Sequence, residues 1–559
     1  MKFELNLRNS LSDNCIELEK SLDSFNISSG EIVIVLHNKR VENHFKSGKL
    51  NSQNLASELP NYLDFGLVII IDKVNLCITV YNDIYGAYPL FIETQEDNFI
   101  IRNSFEFDQN KTLNELAIVQ LLHFNHLLGT NTLNTDVEKI SGGQKIIIDI
   151  KGCSKEDFFT WKDFVEESKK SIKTDSQVLM QASINESLNS KSSPILTLTG
   201  GFDSRLLFSL LLQQKKDFST ITWGAPNNNQ SSRAKEIASE FNIQHKNIDL
   251  DNRFKSEVPR ILEYIVKNGT ENPFITDVPQ FVYMCENLEK KCDIISGFMG
   301  SEIIRGPSYS SQVTLTKFAA DISLATSKEE IKNLILEFNK DFPYISDTFI
   351  EKNIDQLVED YSIYSKINVS QELKNENIFK YLFHEKYPKI FGPIILFHHQ
   401  LEINLINPYM DFKFIMKTLN ENRALSIMTP FENSALKNFM LYRFYSKEVK
   451  KIYPQLLHTK MDRGYKMSDL ITLTGLMKLA PYQVYRKFKK KKNNQVKTVD
   501  SNDWYQNLIS SELSIDKKIQ DSILNSKYIH ETITHLNSKS DLDKIKIQLI
   551  FGLSKKMKG

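Results

Sequence analysis

Short apolar, β-branched runs separated by turn residues occupy much of the first 150 residues of the chain. They lie at 31–36, 65–71, 76–81, 89–92 and 144–150. Runs of this length between turn residues predict strands, and the apolar pattern at 113–122 predicts a helix. We therefore expect packed antiparallel sheets in this part of the chain.

From residue 177 onward, short apolar runs alternate with segments of helical periodicity. Strands are predicted at 195–198, 219–223, 246–250 and 293–295, and helices at 204–213, 231–241, 255–268 and 278–290. The alternation predicts a parallel sheet with helices on both faces. Ligands of such sheets bind at the carboxyl ends of the strands. Beyond residue 310 the sequence is mostly helical in pattern.

A charged segment without apolar periodicity separates the two patterns. It covers 156–176, and it is predicted to be a linker between a first domain, 1–155, and a second domain, 177–559. We therefore expect an α/β protein whose first domain is β-rich and whose second domain ends in a helical region.

The turn Thr199-Gly200-Gly201-Phe202-Asp203-Ser204 follows the first predicted strand of the second domain. Its two glycines let the backbone approach an anion closely, and the next helix begins with free N–H groups. Thr199 and Ser204 add hydroxyl donors, and Asp203 is an oxygen ligand suited to magnesium. The turn is predicted to bind phosphates. The alternative is a strand–helix turn that merely needed two glycines.

This turn differs from the nucleotide loop of kinases and GTPases, which requires Gly-x-x-x-x-Gly-Lys-Ser/Thr. It resembles instead the pyrophosphate-binding loop of ligases that split ATP into AMP and pyrophosphate. The strand before it and the apolar helix pattern after it are the context that such a loop requires.

Composition and charge narrow the function classes. Of 559 residues, 41% are hydrophobic and 25% are charged, and the formal charge of +1 gives no electrostatic case for nucleic acid as a partner. Five cysteines without a CxxC pair argue against a zinc site or a disulfide framework. With no signal peptide or membrane-spanning run evident, we expect a cytoplasmic enzyme. Its richness in Lys, Asn and Ile is typical of an AT-rich bacterial genome.

Several motifs in order along the chain resemble those of the asparagine synthetase superfamily. They are the segments 83–91, 127–133, 139–144, 199–204, 231–238 with His245, 296–302 and 407–411. The resemblance covers nearly the whole chain and extends to the β-lactam synthetases and lasso-peptide cyclases. It implies an αββα sandwich like that of amino-terminal-nucleophile hydrolases, followed by an α/β ATP-pyrophosphatase domain.

The resemblance also implies ATP and Mg²⁺ as cofactors and assigns roles to residues. The phosphate donors are Thr199, Gly200, Gly201 and Ser204. Asp203 is the metal ligand, and Glu302 is a possible second one with a catalytic role. The expected adenosine-site residues are Thr197, Trp223, Ser296 and Gly297.

The first departure from the family concerns glutamine hydrolysis. Active family members expose a cysteine as the mature first residue, whose α-amine acts as base for its own thiol. Here Lys2 follows Met1, and the nearest cysteine is Cys15. We expect no glutaminase activity. The first domain is then either a structural remnant or a docking surface for a substrate or partner.

Further departures lie in the segment Ser296–Glu302. Phe298 replaces a glutamate that takes part in acyl transfer in asparagine synthetases, where the β-lactam-forming relatives have tyrosine. Formation of asparagine itself is therefore not expected. Ser301 replaces a metal-binding aspartate, so magnesium would depend on Asp203, phosphate oxygens and water. The alternative is a damaged metal site without ATP turnover.

The late basic motif of the family also differs. Asp462 stands at the position of a lysine that neutralises pyrophosphate, and Lys460, Arg463 or Lys466 is expected to supply the charge. Glu385 is a candidate acidic catalytic residue by its place in the helical region. His384, His398 and His399 are expected to be ordinary core or surface residues, because no HExxH pattern accompanies them. The basic run 486–492 is a solvated loop, or else a dock for an acidic substrate, a leader peptide or a membrane surface.

The function expected is an ATP-dependent, AMP-forming amide ligase that adenylates a small-molecule or peptide carboxylate and transfers it to an amine. The amine is free ammonia, a separate amine substrate or an amine group of the same molecule. The sequence leaves open whether the protein forms a homodimer. The competing hypothesis is a catalytically silent scaffold or partner-binding protein. A tRNA-modifying enzyme is disfavoured by the near-neutral charge.

Overall fold

A computed structural model of the chain describes most of the sequence. The residues described are 4–6, 24–26, 30–95, 98–189, 193–226, 228–272, 278–305, 316–369, 376–421, 435–461, 464–479, 508–509, 512–513, 519, 522–536 and 539–558. Lys2, Cys15, Asp462, Arg463 and the basic run 486–492 lie outside these residues.

Two antiparallel sheets form the N-terminal part. Their strands are β1 Glu4–Asn6, β2 Ser24–Asn26, β3 Glu31–Leu36, β4 Leu67–Asp72, β5 Cys77–Asn82, β6 Phe91–Gln95, β7 Asn98–Arg102, β8 Val137–Lys139, β9 Gln144–Asp149 and β10 Gly152–Asp157. One sheet has the order β1-β7-β6-β8 and the other β10-β9-β5-β4-β3-β2. The helices of this part are α1 Lys39–Lys46, α2 Leu55–Glu58 and α3 Glu115–Phe124.

Both faces of the central strands β3, β4 and β5 of the six-stranded sheet are largely buried, and alternate residues of these strands face opposite ways. Ile32 and Ile34 of β3 belong to the main core of the protein. Val33 belongs to a smaller core that includes Val41 and Phe45 of α1. Such burial explains the nearly continuous apolar runs in the sequence, because neither face of these strands is left to solvent.

The C-terminal part contains a five-stranded parallel sheet. Its strands are β11 Ile195–Thr197, β12 Ser219–Gly224, β13 His245–Asp249, β14 Asp293–Ile295 and β15 Asn404–Ile406. The order across the sheet is β13-β12-β11-β14-β15, and all four pairings are parallel. The order reverses between β11 and β14, and a crevice for ligands opens at such a switch point.

Helices surround this sheet and continue to the end of the described chain. They are α4 Trp161–Lys169, α5 Ser176–Ser187, α6 Phe202–Gln213, α7 Asn229–Glu240, α8 Asn252–Asn268, α9 Val278–Glu286, α10 Gly300–Arg305, α11 Lys317–Leu324, α12 Lys328–Asp341, α13 Asp347–Ser362, α14 Glu376–Tyr381, α15 Tyr387–Gln400, α16 Phe412–Asn420, α17 Ala435–Ile452, α18 Ser526–Thr534 and α19 Asp541–Lys558. A π-helical turn, Leu382–Lys386, joins α14 to α15. Among the described helices, none is long and apolar enough to cross a membrane.

The predicted fold class is confirmed: antiparallel sheets come first, and a parallel α/β sheet with a helical C-terminal region follows. The charged segment 156–176, which is predicted to be a linker, contains helix α4. Thr160 and Asp163 form a capping box at its start, and Phe164 and Val165 are buried. One short apolar stripe is enough to fix this helix despite its charge. The division into domains at these residues stays a prediction.

Candidate active site

The turn Thr199–Ser204 lies where the sheet order reverses. It joins β11 to α6 at the carboxyl end of the central strand, next to the segment that follows β14. Gly297 of that segment packs against it: a Cβ on Gly297 would lie 3.2 Å from the Ser204 nitrogen and 3.3 Å from the Asp203 carbonyl carbon. The close approach explains a glycine here and places both segments at one crevice.

Hydroxyl groups hold the turn in shape. The Thr199 N–H donates to Ser204 Oγ at 3.1 Å, and the Gly201 N–H donates to Thr199 Oγ1 at 3.2 Å. The two hydroxyl oxygens are themselves 3.1 Å apart. Gly201 is the N-cap of α6, and its position carries no side-chain cap. The first turn of α6 therefore presents N–H groups and a partial positive charge at the crevice, as anion binding requires.

Asp203 accepts hydrogen bonds from three hydroxyl groups around the turn. Ser301 Oγ donates to its Oδ2 at 2.6 Å, and the Tyr445 hydroxyl donates to its Oδ1. The Tyr409 hydroxyl donates to its backbone carbonyl at 2.9 Å. Gly300 lies directly beside the carboxylate, since a Cβ there would be 2.8 Å from Oδ1. The carboxylate is thus held in one orientation by two hydroxyl donors.

These residues fit a magnesium ion that takes most of its ligands from elsewhere. Asp203 supplies one carboxylate, and Ser301 supplies a neutral hydroxyl beside it. Among the residues that the structure describes, no three His, Cys, Asp or Glu side chains cluster as ligands. Magnesium commonly keeps several waters and binds through one or two carboxylates and substrate phosphates, so a single carboxylate is compatible with it.

The four residues expected at the adenosine lie at adjoining strand ends. Thr197 Oγ1, at the end of β11, donates to the Ile295 carbonyl at 3.4 Å. The Ser296 N–H donates to the Ile406 carbonyl at 2.8 Å, which extends the pairing of β14 with β15. Trp223 lies near the end of β12. The structure therefore brings these residues to the same edge of the sheet as the turn.

The segment Asn407–Asp411 reaches the same crevice from β15. The Asn407 side-chain amide donates to the Phe298 carbonyl at 2.9 Å, and Tyr409 is the residue that binds the Asp203 carbonyl. At the far end, Arg40 Nη1 lies 2.6 Å from Asp411 Oδ2, in an ion pair with both side chains buried. The segment thus connects the turn to helix α1 of the N-terminal part.

Lys460 is held near the start of α6 by its backbone. The fully buried Arg205 donates to Thr459 Oγ1 at 2.6 Å and to the Lys460 carbonyl. Residues 460 and 466 then pair across a tight turn, in which the Met461 N–H donates to the Tyr465 carbonyl at 2.8 Å. This places Lys460 beside the helix that begins at the turn Thr199–Ser204. Arg463 falls outside the described residues.

Glu385 and Glu302 have other partners than the turn. Glu385 accepts hydrogen bonds from the Tyr364 hydroxyl and, at 3.0 Å, from the Gly129 N–H. Burial raises the pKa of Glu385, and nearby Lys389 opposes the rise. Glu302 lies close enough to Tyr387 to add to the rise in the pKa of that phenol, which is mainly due to burial. The catalytic roles predicted for the two glutamates stay predictions.

Three contact residues of the site were not among the residues singled out from the sequence. Arg205 directly follows the turn, and Tyr409 lies within the motif 407–411. Both residues could therefore have been singled out from the sequence. Tyr445 was not, because its contact with Asp203 joins residues 242 positions apart on different helices.

A comparison with protein-family models supports the predicted class of the part of the chain that begins at residue 177. Residues 177–356 match the family model described as asparagine synthase. The match supports the resemblance to the asparagine synthetase superfamily that the motifs predicted. The family implies ATP binding and the formation of a C–N bond. A search of curated proteins finds no match to this chain.

Two solved structures align with part of the chain. One is the glutamine phosphoribosylpyrophosphate amidotransferase from B. subtilis complexed with ADP and GMP, at 11% identity over 49% of this chain and 57% of that one, with a TM-score of 0.15. The other is the structure of the allosteric regulatory enzyme of purine biosynthesis, at 12% identity over 52% and 59%, with a TM-score of 0.15. The chain spans less than two thirds of either structure.

Proposed function

We propose that the protein is an ATP-dependent amide ligase that forms AMP and pyrophosphate. A carboxylate oxygen of the substrate attacks the α-phosphorus of ATP, and pyrophosphate leaves as the acyl-adenylate forms. An amine then attacks the acyl carbon, and AMP leaves. The observation that carries the proposal is the phosphate turn at the switch point of an asparagine synthase-type sheet.

The residues of the turn have distinct roles in this proposal. The N–H groups of Gly200 and Gly201 and the hydroxyls of Thr199 and Ser204 bind the pyrophosphate portion, so donors already in place meet the developing charge. A magnesium ion held by Asp203, with Glu302 as a further candidate ligand, would neutralise phosphate charge. We assign the adenosine to Thr197, Trp223, Ser296 and Gly297.

We assign to the late basic motif the neutralisation of the negative charge on the departing pyrophosphate. The anchoring of the Lys460 backbone by Arg205 supports a role for Lys460, and Arg463 is the second candidate. Glu385 stays a candidate acid. We further propose that the protein does not hydrolyse glutamine and that it acts in the cytoplasm.

Product analysis tests this function. The full chain is incubated with ATP, Mg²⁺, ammonium chloride and pools of amino acids or short peptides, and phosphorus NMR identifies the products. We expect AMP and pyrophosphate that depend on an added carboxylate and disappear in Asp203→Asn, while glutamine does not replace ammonium. Formation of ADP and phosphate would contradict the proposal.

A silent scaffold is the second candidate, and one observation favours it. Both oxygens of Asp203 already accept hydrogen bonds, from Ser301 and from Tyr445. A carboxylate satisfied within the protein gains less from a metal ion than a free one does. The scaffold hypothesis predicts that the protein binds no ATP with or without Mg²⁺.

A further inference from the structure

Four aromatic side chains form a continuous chain of ring contacts beside the phosphate turn. Trp223 contacts Phe281 edge to face, with ring centroids 5.2 Å apart, and Phe281 contacts Phe298 at 6.4 Å. Phe298 stacks on Phe391 at 5.1 Å with only 7° between the ring planes. We call these four residues the aromatic wall.

The aromatic wall is built from four separate elements. Trp223 belongs to β12, Phe281 to α9 and Phe391 to α15, and Phe298 follows β14. All four side chains are half-buried and pack against the main core on one side. Their remaining exposure leaves apolar surface next to a candidate ligand crevice, and apolar surface in such places commonly contacts ligands.

The backbone on both sides of Phe298 packs against the turn Thr199–Ser204. Gly297 before it touches the turn, and Gly300 two residues later lies beside the Asp203 carboxylate. Met299 between them adopts a left-handed φ of 69°, which a non-glycine residue rarely does. The Asn407 amide fixes the Phe298 carbonyl. The Phe298 side chain therefore extends from backbone that borders the crevice of the candidate site.

Two side chains in ring contact with the aromatic wall, His398 and Tyr387, are uncharged at neutral pH. His398 contacts Phe281 at 6.5 Å, and burial lowers the pKa of His398 to about 4, so it is neutral at neutral pH. Tyr387 contacts Phe391 at 6.2 Å, and its phenol stays protonated because burial raises its pKa. A charged group placed against these rings would lose hydration and gain no charged partner from either His398 or Tyr387.

We propose that the carboxylate substrate carries an aromatic or extended apolar group that packs on Phe298 and Phe391. This inference rests on the proposed adenylating function and names the substrate class for it. Aromatic groups fit best, because the parallel pair Phe298–Phe391 and the edge contacts of Phe281 offer both stacked and edge-to-face geometry. Aspartate, whose second carboxylate would face this apolar surface, is excluded as the preferred substrate.

The test compares probe carboxylates on the full chain loaded with Mg²⁺ and a non-hydrolysable ATP analogue. The probes are 3-phenylpropionate and hexanoate against aspartate and succinate, and calorimetry and ligand-observed NMR measure their binding. We expect 3-phenylpropionate to bind most tightly. Phe298→Ala should weaken its binding on the order of tenfold, the loss typical of removing one buried aromatic anchor. Phe298→Leu, which keeps apolar volume but loses the ring, should weaken it less.

Matched controls separate the two proposals. Phe342→Ala, at the half-buried phenylalanine that caps the C-terminus of α12, should leave probe binding as it is, and thermal unfolding shows that each variant is folded. If the wild type does not bind the ATP analogue, the proposed function fails. If it binds the analogue but prefers aspartate or succinate, or binds no apolar probe at millimolar concentrations, the proposed function stands and the apolar substrate is ruled out.

Discussion

Ser301 donates its hydroxyl to Asp203 Oδ2 at 2.6 Å, although the two residues lie 98 positions apart in the chain. This contact joins the turn after β11 to the segment after β14 across the switch point of the sheet. It also puts a neutral hydroxyl where the family resemblance implies a second metal-binding carboxylate. The candidate metal site therefore depends on one carboxylate and on the hydroxyls around it.

Replacing Ser301 by aspartate should make the protein more dependent on magnesium. Two carboxylates within hydrogen-bonding distance repel each other without a cation. We expect Ser301→Asp to lower the Tm in the absence of Mg²⁺ and to show a larger rise in Tm on adding Mg²⁺ than the wild type does. Ser301→Asn is the matched control without the charge. An equal response of both variants to Mg²⁺ would show that no cation binds at Asp203.

Gly300→Ala should displace the Asp203 carboxylate without unfolding the protein. The added methyl group would lie 2.8 Å from Asp203 Oδ1 and 2.9 Å from the ring of Tyr409. Because Tyr409 is fully buried and cannot move away easily, the carboxylate has to shift. We expect the affinity for ATP with Mg²⁺ to fall about tenfold, which corresponds to about 1.4 kcal/mol. Calorimetry measures this loss, and unchanged affinity would mean that Asp203 takes no part in binding.

Arg40→Met should destabilise the protein strongly. Arg40 pairs with Asp411 at 2.6 Å and with Glu186 at 2.8 Å, and the Asp411 side chain is almost completely buried. Removing one member of a buried pair leaves an uncompensated charge and costs roughly 3–5 kcal/mol. Urea unfolding measures the change. The control is Lys155→Met, which removes a partner of Glu138 from an exposed pair and should cost less than about 1 kcal/mol. Equal losses would contradict the assignment of a buried anchor.

Stability should fall as the solution becomes acidic because several histidines are buried. Burial lowers the pKa of His384 and His398 to about 4 and of His123 and His399 to about 3. In the unfolded chain, histidine binds a proton below about pH 6.5. Since the folded protein binds these protons only at lower pH, the stability present above pH 6.5 is lost as the pH falls toward about 4, by up to about 1.4 kcal/mol per pH unit for each histidine.

His398→Asn tests this pH dependence at one residue. The Asn amide can still donate to the Ile394 carbonyl, which lies 2.7 Å from His398 Nδ1 in the wild type. We expect the variant to lose less stability between about pH 7 and pH 5 than the wild type. Urea unfolding at both pH values gives the comparison. An identical pH dependence would contradict a neutral His398 in the fold.

Sequence reasoning located most elements because their signals are local. The run Glu31–Leu36 was predicted as a strand with the bounds that the structure has, and the predicted strand 195–198 differs by one residue from β11. Strand β15, Asn404–Ile406, was not predicted. Three residues are too few for a periodic pattern, and its pairing with β14 joins residues about a hundred positions apart.

In the candidate site, too, the contiguous residues could be predicted from the sequence and the tertiary contacts could not. The turn Thr199–Ser204 could be recognised because its glycines, hydroxyls and flanking elements are contiguous. The contacts of Asp203 with Tyr445 and Ser301, and that of Phe298 with Phe391, could not, since each depends on tertiary packing between elements far apart in the chain. Side-chain partners of this kind leave no pattern in a single sequence.

Calorimetric titration with ATP, in the presence and absence of Mg²⁺, tests the central claim most directly. The claim is that the turn Thr199–Ser204 binds the phosphates of ATP with a cation at Asp203. It predicts saturable binding that strengthens with Mg²⁺ in the wild type and loses that strengthening in Asp203→Asn, whose Tm confirms that it is folded. Absence of ATP binding under every condition, or equal Mg²⁺ dependence in Asp203→Asn, would contradict the claim.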